Sequence, residues 1–266
     1  MRSNASWLSI PIIAFVLALP LATGCAIDKG TALAADFEKH WSGAPDVEKV
    51  DVHGYNTLPF AGLATGILVL ADGTPPDRVV ERAHELRKYV ARHKSVTGRI
   101  TAGGITVTVD ADETRTREVM ALWQSLTADE RVVDGEIGRS TSKLGYRWQA
   151  EITAVDALAV FDDMTGDGGR HRLLSDVTSV EVRTKRGTRP GLWVLTDPGG
   201  ALPADAIAAY EAVVAEYPVA GATLETTSVR IVVAGTADED GARELAQTAA
   251  PGLDAAAITV TRERGA

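Results

Sequence analysis

The 266-residue chain contains a single cysteine, Cys25. One thiol makes no intramolecular disulfide and no thiolate-rich metal site, so the fold must be held by packing alone. Aromatic residues make up only 5% of the chain, too few for an obvious carbohydrate-stacking platform. Beyond Cys25 no uncharged apolar run approaches the roughly 20 residues that a membrane-crossing helix requires. Basic charge is also short: 27 Lys and Arg face 36 Asp and Glu, for a net charge of −9. Such a surface is repelled by phosphate backbones, which argues against nucleic-acid partners.

Signatures of catalysis are equally scarce. The five histidines are His40, His53, His84, His93 and His171, and no two have the spacing of an H-E-x-x-H zinc site. No G-x-S-x-G elbow, S-x-x-K pair or P-loop lysine occurs, although a Ser-His-Asp site assembled from distant segments needs no local motif. The loop Asp163-Met164-Thr165-Gly166-Asp167-Gly168 imitates the start of an EF-hand, but its twelfth position is Leu174 where a bidentate Glu is required. It reads as a glycine-rich loop ending a helix. The sequence therefore implies no metal, no cofactor and no enzyme. Asp72, Asp197, Asp112-Glu113 and Asp238-Glu239 stand where turns and helix caps want carboxylates.

What is present begins at the N-terminus. Arg2 is followed by the apolar stretch Trp7–Leu21 and then by Leu21-Ala22-Thr23-Gly24-Cys25. This order is that of a secretory signal. Its end resembles the lipobox of bacterial lipoproteins, with Ala22 and Thr23 in place of the commonest residues. The resemblance covers residues 1–25. It implies a signal peptide over 1–24, lipidation of Cys25 by diacylglyceryl and palmitate chains, and tethering to the extracytoplasmic face of the cell membrane. Two acyl chains suffice for stable anchoring, at about 0.8 kcal/mol per buried CH₂.

The remainder reads as a short tether over 25–30 and an internal repeat, module 1 over 31–140 and module 2 over 144–266. Alternating segments Val47-Val50-Val52 and Val177-Val180-Val182 suggest half-buried strands, as do Gly66–Leu70 with Gly191–Leu195 and Ile105–Val109 with Val229–Val233. Helices entered near Pro76 and Pro203, and others opening at Asp112 and Asp238, complete the correspondence. The offset runs from 130 to 124 residues. The expected class is α+β: a tandem duplication of an αββαβα-β module. Mainly antiparallel sheets would carry helices on one face, as in ferredoxin-like sandwiches. Trp41, Trp123, Trp148 and Trp193 fall in apolar patterns and are expected in the core.

Two surface features point to partners. Leu58 and Phe60 occupy the tip of a long first hairpin and are candidates for a partner contact. Arg183, Lys185, Arg186 and Arg189 form a basic island suited to an anionic surface. The composite expectation is a lipid-anchored, non-catalytic binding or scaffolding protein of the bacterial envelope. It meets the membrane through its lipid and an envelope protein or polymer through its surface. A solute-binding lipoprotein of a transporter is the alternative, and a lipid-anchored hydrolase the third.

Overall fold

The structure, a computed structural model, describes residues 29–58, 61–142, 145–174 and 176–263. Cys25 and the signal segment lie outside these residues, as does Phe60.

The chain runs α1 (Lys29–Trp41), β1 (Val47–Leu58), β2 (Ala61–Leu70), α2 (Pro76–Arg92), β3 (Val96–Ala102) and β4 (Ile105–Val109). It continues through α3 (Glu113–Thr127), β5 (Val132–Ser142), β6 (Gly145–Ala154), α4 (Ala157–Thr165), β7 (Val177–Thr184) and β8 (Gly191–Leu195). It closes with α5 (Ala204–Glu216), β9 (Val219–Glu225), β10 (Ser228–Val233), α6 (Glu239–Ala249) and β11 (Ile258–Arg262). Caps behave as their residue types dictate. Asp112 accepts the backbone N–H of Arg115, Asp238 that of Asp240, and Pro76 stands in the first turn of α2.

All eleven strands form one mixed sheet in sequential order, β1 through β11. Hairpin partners pair antiparallel, and strands joined through a helix pair parallel. The expected predominance of antiparallel pairing and the ferredoxin-like grouping are thus replaced by strict alternation. The reason is two strands that alternation alone does not reveal, β3 and β9. Their inward positions include Gly98, Ala102 and Ala222, small residues that leave little hydrophobic signal.

One face of the sheet is buried from β2 to β10 and half-buried on β1. Leu68, Ile100, Val107, Ile137, Ala150, Val182, Val194, Leu224 and Ile231 line it beneath the helices. Phe37 of α1 lies against Gly66, Leu86 of α2 against Gly98, and the Trp123 indole of α3 donates to the carbonyl of Ala102. The expectation of helices on one face holds. It has a topological consequence. Successive crossovers leave from strands of opposite direction, yet advance the same way across the sheet under the same face. They must therefore alternate in hand, against the general preference for right-handed connections.

The same geometry revises the repeat. Three antiparallel steps separate β1 from β7, so these two strands run in opposite directions. Both halves advance the same way with helices on the same side, so residues 47–137 and 177–260 are mirror-related in topology, and no rotation superposes them. The grouping that keeps strand direction takes two hairpins and two helices. Val47, Val132 and Val219 start its strands, spaced 85 and 87 residues apart. Each of these strands shifts register within its first three residues. Before each, a carbonyl accepts from the residue that follows the partner strand: Ala71 N to Asp46 O at 2.9 Å, Val155 N to Arg131 O at 2.7 Å, and Ala234 N to Pro218 O at 2.8 Å. The sheet runs unbroken from β5 into β6, where the two modules were expected to divide.

Candidate functional site

Two features stand out, one on the helical side and one on the bare face. The first gathers the end of α3, the turn into β5, the end of α4 and the loop after it. Ser125 stands in the last turn of α3, and Asp129 and Arg131 in the α3–β5 turn. Asp163 sits on α4, with Arg170 and His171 beyond it. Ser125 Oγ lies 2.7 Å from His171 Nδ1 and 3.1 Å from the Arg170 carbonyl. His171 Nε2 lies 3.1 Å from Asp129 Oδ2. With Nε2 carrying the proton, His171 donates to Asp129, and its Nδ1 and the Arg170 carbonyl compete for the one hydroxyl proton of Ser125. His171 is buried, and the group borders a surface cavity of about 550 Å³.

Arg131 governs the electrostatics of this group. Its guanidinium bonds both carboxylate oxygens of Asp129 and also Asp163. Hydrogen bonding from Arg131 holds the Asp129 carboxyl well below the usual carboxylate range and lowers Asp163 as well. Asp129, Asp163 and His171 each offer a ligand atom within 4.8 Å of the others. A metal ion there would have to displace the guanidinium, because the cluster supplies its own cation. The EF-hand-like loop is committed in the same way. The Asp163 carboxylate goes to Arg131, its carbonyl accepts from the His171 backbone N–H, and Gly168 takes a φ of +79°.

The position of Ser125 limits its chemistry. The end of a helix presents carbonyl oxygens and the negative pole of the dipole. An oxyanion generated at Ser125 would meet charge of its own sign, whereas an oxyanion hole requires N–H donors. The arrangement serves well as a lock that ties the loop after α4 to α3 and β5.

The second feature is the face without helices. Register places Asp51, Ile67, Arg99 and Thr108 along one row across β1 to β4 and Gly138 beside Gln149 on β5 and β6, and the Thr108 hydroxyl lies close to Gly138. Glu136, Glu151 and Glu181 stand directly abreast on β5, β6 and β7. Like charges so placed repel, and cations flank them. Arg99 reaches across β4 to Glu136 at 2.5 Å, while Arg183 lies 2.9 Å from Glu181 and 3.7 Å from Glu151. Burial pushes the Glu181 carboxyl upward, with Arg183 and the Trp193 indole opposing the shift.

The expected site residues distribute as follows. Arg183 belongs to this face and is engaged with the glutamates, and Arg189 pairs with Glu263 at 2.9 Å. Lys185 and Arg186 occupy the β7–β8 turn. That turn lies at the strand ends opposite to those where α1 begins, so the four cations form no continuous patch beside the tether. Leu58 closes β1, and Phe60 lies outside the described residues. Of the four tryptophans, Trp41, Trp123 and Trp148 are core, but Trp193 is 42% exposed on the bare face. In Gly-Leu-Trp-Val-Leu every candidate is apolar, so only register decides which parity faces the helices; it gives Leu192 and Val194 to the core. The Ser125–His171 contact spans 46 residues and has no local signal.

No family model matches the chain, and no curated protein or solved structure matches it.

Proposed function

We propose that this protein is an exported, lipid-anchored, non-catalytic binding or scaffolding component of the bacterial envelope, and that the uncovered face of its sheet receives the partner. One observation carries the second half of this reading: among the described residues, six helices cover one face of an eleven-stranded sheet while the other face keeps Trp193 exposed. A broad, pleated surface stiffened by cross-strand ion pairs is pre-organised for contact and loses little entropy on binding. The first half rests on the lipobox-like segment ending at Cys25.

The experiment places a photo-crosslinking residue singly at Thr106, Gln149 or Thr223 on the bare face, and at Glu118, Glu211 or Glu244 on helices, in the native host. Adducts from the first set alone support the reading. Adducts from the helical set alone overturn it.

A lipid-anchored hydrolase draws support from one observation, the Ser125–His171–Asp129 chain. Covalent labelling of Ser125 by a fluorophosphonate, lost in His171→Ala, would establish it in place of the binding role. A solute-binding protein would use a cleft between lobes, for which the continuous sheet offers little support.

A further inference from the structure

Trp193 is the one large aromatic side chain exposed on the bare face among the described residues of its central and distal strands. Its neighbours are polar. Register sets it directly beside Arg183 on β7 and Thr223 on β9, and Thr223 beside Arg230 on β10. The ring is 42% exposed, and Glu181 stands one pleat away on the adjacent strand, opposite Leu195. Gln149 lies next to Glu151 and donates to it at 2.7 Å.

The charges around the ring nearly balance, Arg183 and Arg230 standing among Glu151, Glu181 and Glu225. Glu181 and Glu151 share Arg183, and Arg230 stands two strands away. Little net field is left to attract an anionic or a cationic polymer. A protein hot spot would surround such a ring with further apolar anchors, whereas among the described residues Leu195 and Val232 are the apolar side chains that share its face nearby. What the surface offers is one aromatic platform ringed by carboxylate, guanidinium, amide and hydroxyl groups held in place by one another. An uncharged sugar ring has the complementary chemistry: C–H groups for the aromatic face, and hydroxyls that both donate and accept.

Building on the binding role proposed above, we infer that the bare face around Trp193 is a binding site for a neutral glycan chain. One pyranose stacks on Trp193, and its neighbours hydrogen-bond to Glu181, Arg183, Gln149 and Thr223. Described helices pack on the other face, so an extended polymer can cross the strands beside the ring without entering a pocket.

The test uses the mature lipidated protein in detergent, with chitohexaose and cellohexaose as neutral probes and oligogalacturonate and chitosan as charged ones. Trp41, Trp123 and Trp148 are buried, so acrylamide quenching of fluorescence reports chiefly on Trp193. A saturating neutral hexasaccharide should reduce that quenching at least twofold. Trp193→Ala should weaken retention on the immobilised neutral sugar at least tenfold, and Trp193→Tyr, which keeps an aromatic face, by less than threefold. Trp193 is 42% exposed, and the melting temperatures of both variants are measured beside wild type so that a loss of binding is read on folded protein. Loss with Ala and rescue by Tyr supports the site. Failure of wild type to bind either neutral probe, tighter binding of a charged probe, or unchanged binding by Trp193→Ala overturns it. Bare-face crosslinks to a protein, without sugar binding, also overturn the glycan assignment but leave the binding role standing; helix-face crosslinks remove that role.

Discussion

The hydroxyl of Ser125 lies 2.7 Å from Nδ1 of His171, joining the last turn of α3 to a loop 46 residues further on. Read as a lock, this contact fixes where the chain goes after α4. His171→Ala would leave Asp129 without one of its donors and open a hole in a buried position. A loss of about 2 kcal/mol is expected, the scale for leaving a buried polar group unsatisfied. Ser125→Ala should cost less than half of that, since the hydroxyl is only partly buried. Urea denaturation of both variants measures the difference. Equal and negligible losses would mean that the loop is held by something else.

The acid limb of the stability curve should depend on Asp129. Its folded-state pKa lies below the unfolded value of about 3.9 because Arg131 and His171 bond its ionised form. The sign follows: the contribution is complete above the unfolded pKa and is lost as pH falls through the folded one. Glu181 and Asp162, whose carboxyls burial raises, act with the opposite sign, their contributions fading as pH rises. Asp129→Asn should therefore lower the melting temperature at pH 7 and flatten its decline between about pH 4 and pH 2. A variant with the wild-type decline would refute the assignment.

The seat of α1 is built from glycines. A β-carbon on Gly62 would fall 2.1 Å from the backbone nitrogen of Gly30, and one on Gly54 would fall 2.6 Å from the Gly30 carbonyl carbon. Backbone on both sides cannot yield, so Gly62→Ala should cost at least the ~1–3 kcal/mol typical of overpacking or lift the start of α1 from the sheet. Hydrogen exchange of residues 29–36 distinguishes the two. Protection equal to wild type with no loss of stability would show that this close approach is not required.

Lipidation is tested at the sulfur. Cys25→Ser in a lipoprotein-processing host should release the protein from the membrane fraction or leave it unprocessed. The wild-type N-terminal peptide should carry an acyl mass that the variant lacks. An unacylated wild-type peptide would withdraw the membrane localisation.

The sequence by itself determined much of the local structure. Pro76, Asp112 and Asp238 set helix starts, because caps and first turns depend on a residue's own chemistry and its nearest neighbours. Alternation located β1, β4, β7 and β10, since a half-buried strand writes its period into the chain, and short apolar runs marked β2 and β8. It also showed that the halves resemble each other. The tertiary structure decided how those elements are counted and joined. β3 and β9 carry glycine and alanine inward because helices sit close above them, and that closeness is invisible until the sheet is assembled. With those two strands in place, the half-chain resemblance relates oppositely directed strands, and strand direction recurs instead at the shorter spacing of Val47, Val132 and Val219. Trp193 passed from core to surface on strand parity alone, a one-residue choice that an all-apolar segment leaves open. The Ser125–His171–Asp129 chain likewise depends on two loops meeting across a crossover. Local propensity is written residue by residue, but register, parity and the meeting of distant loops are settled only by which strand lies beside which.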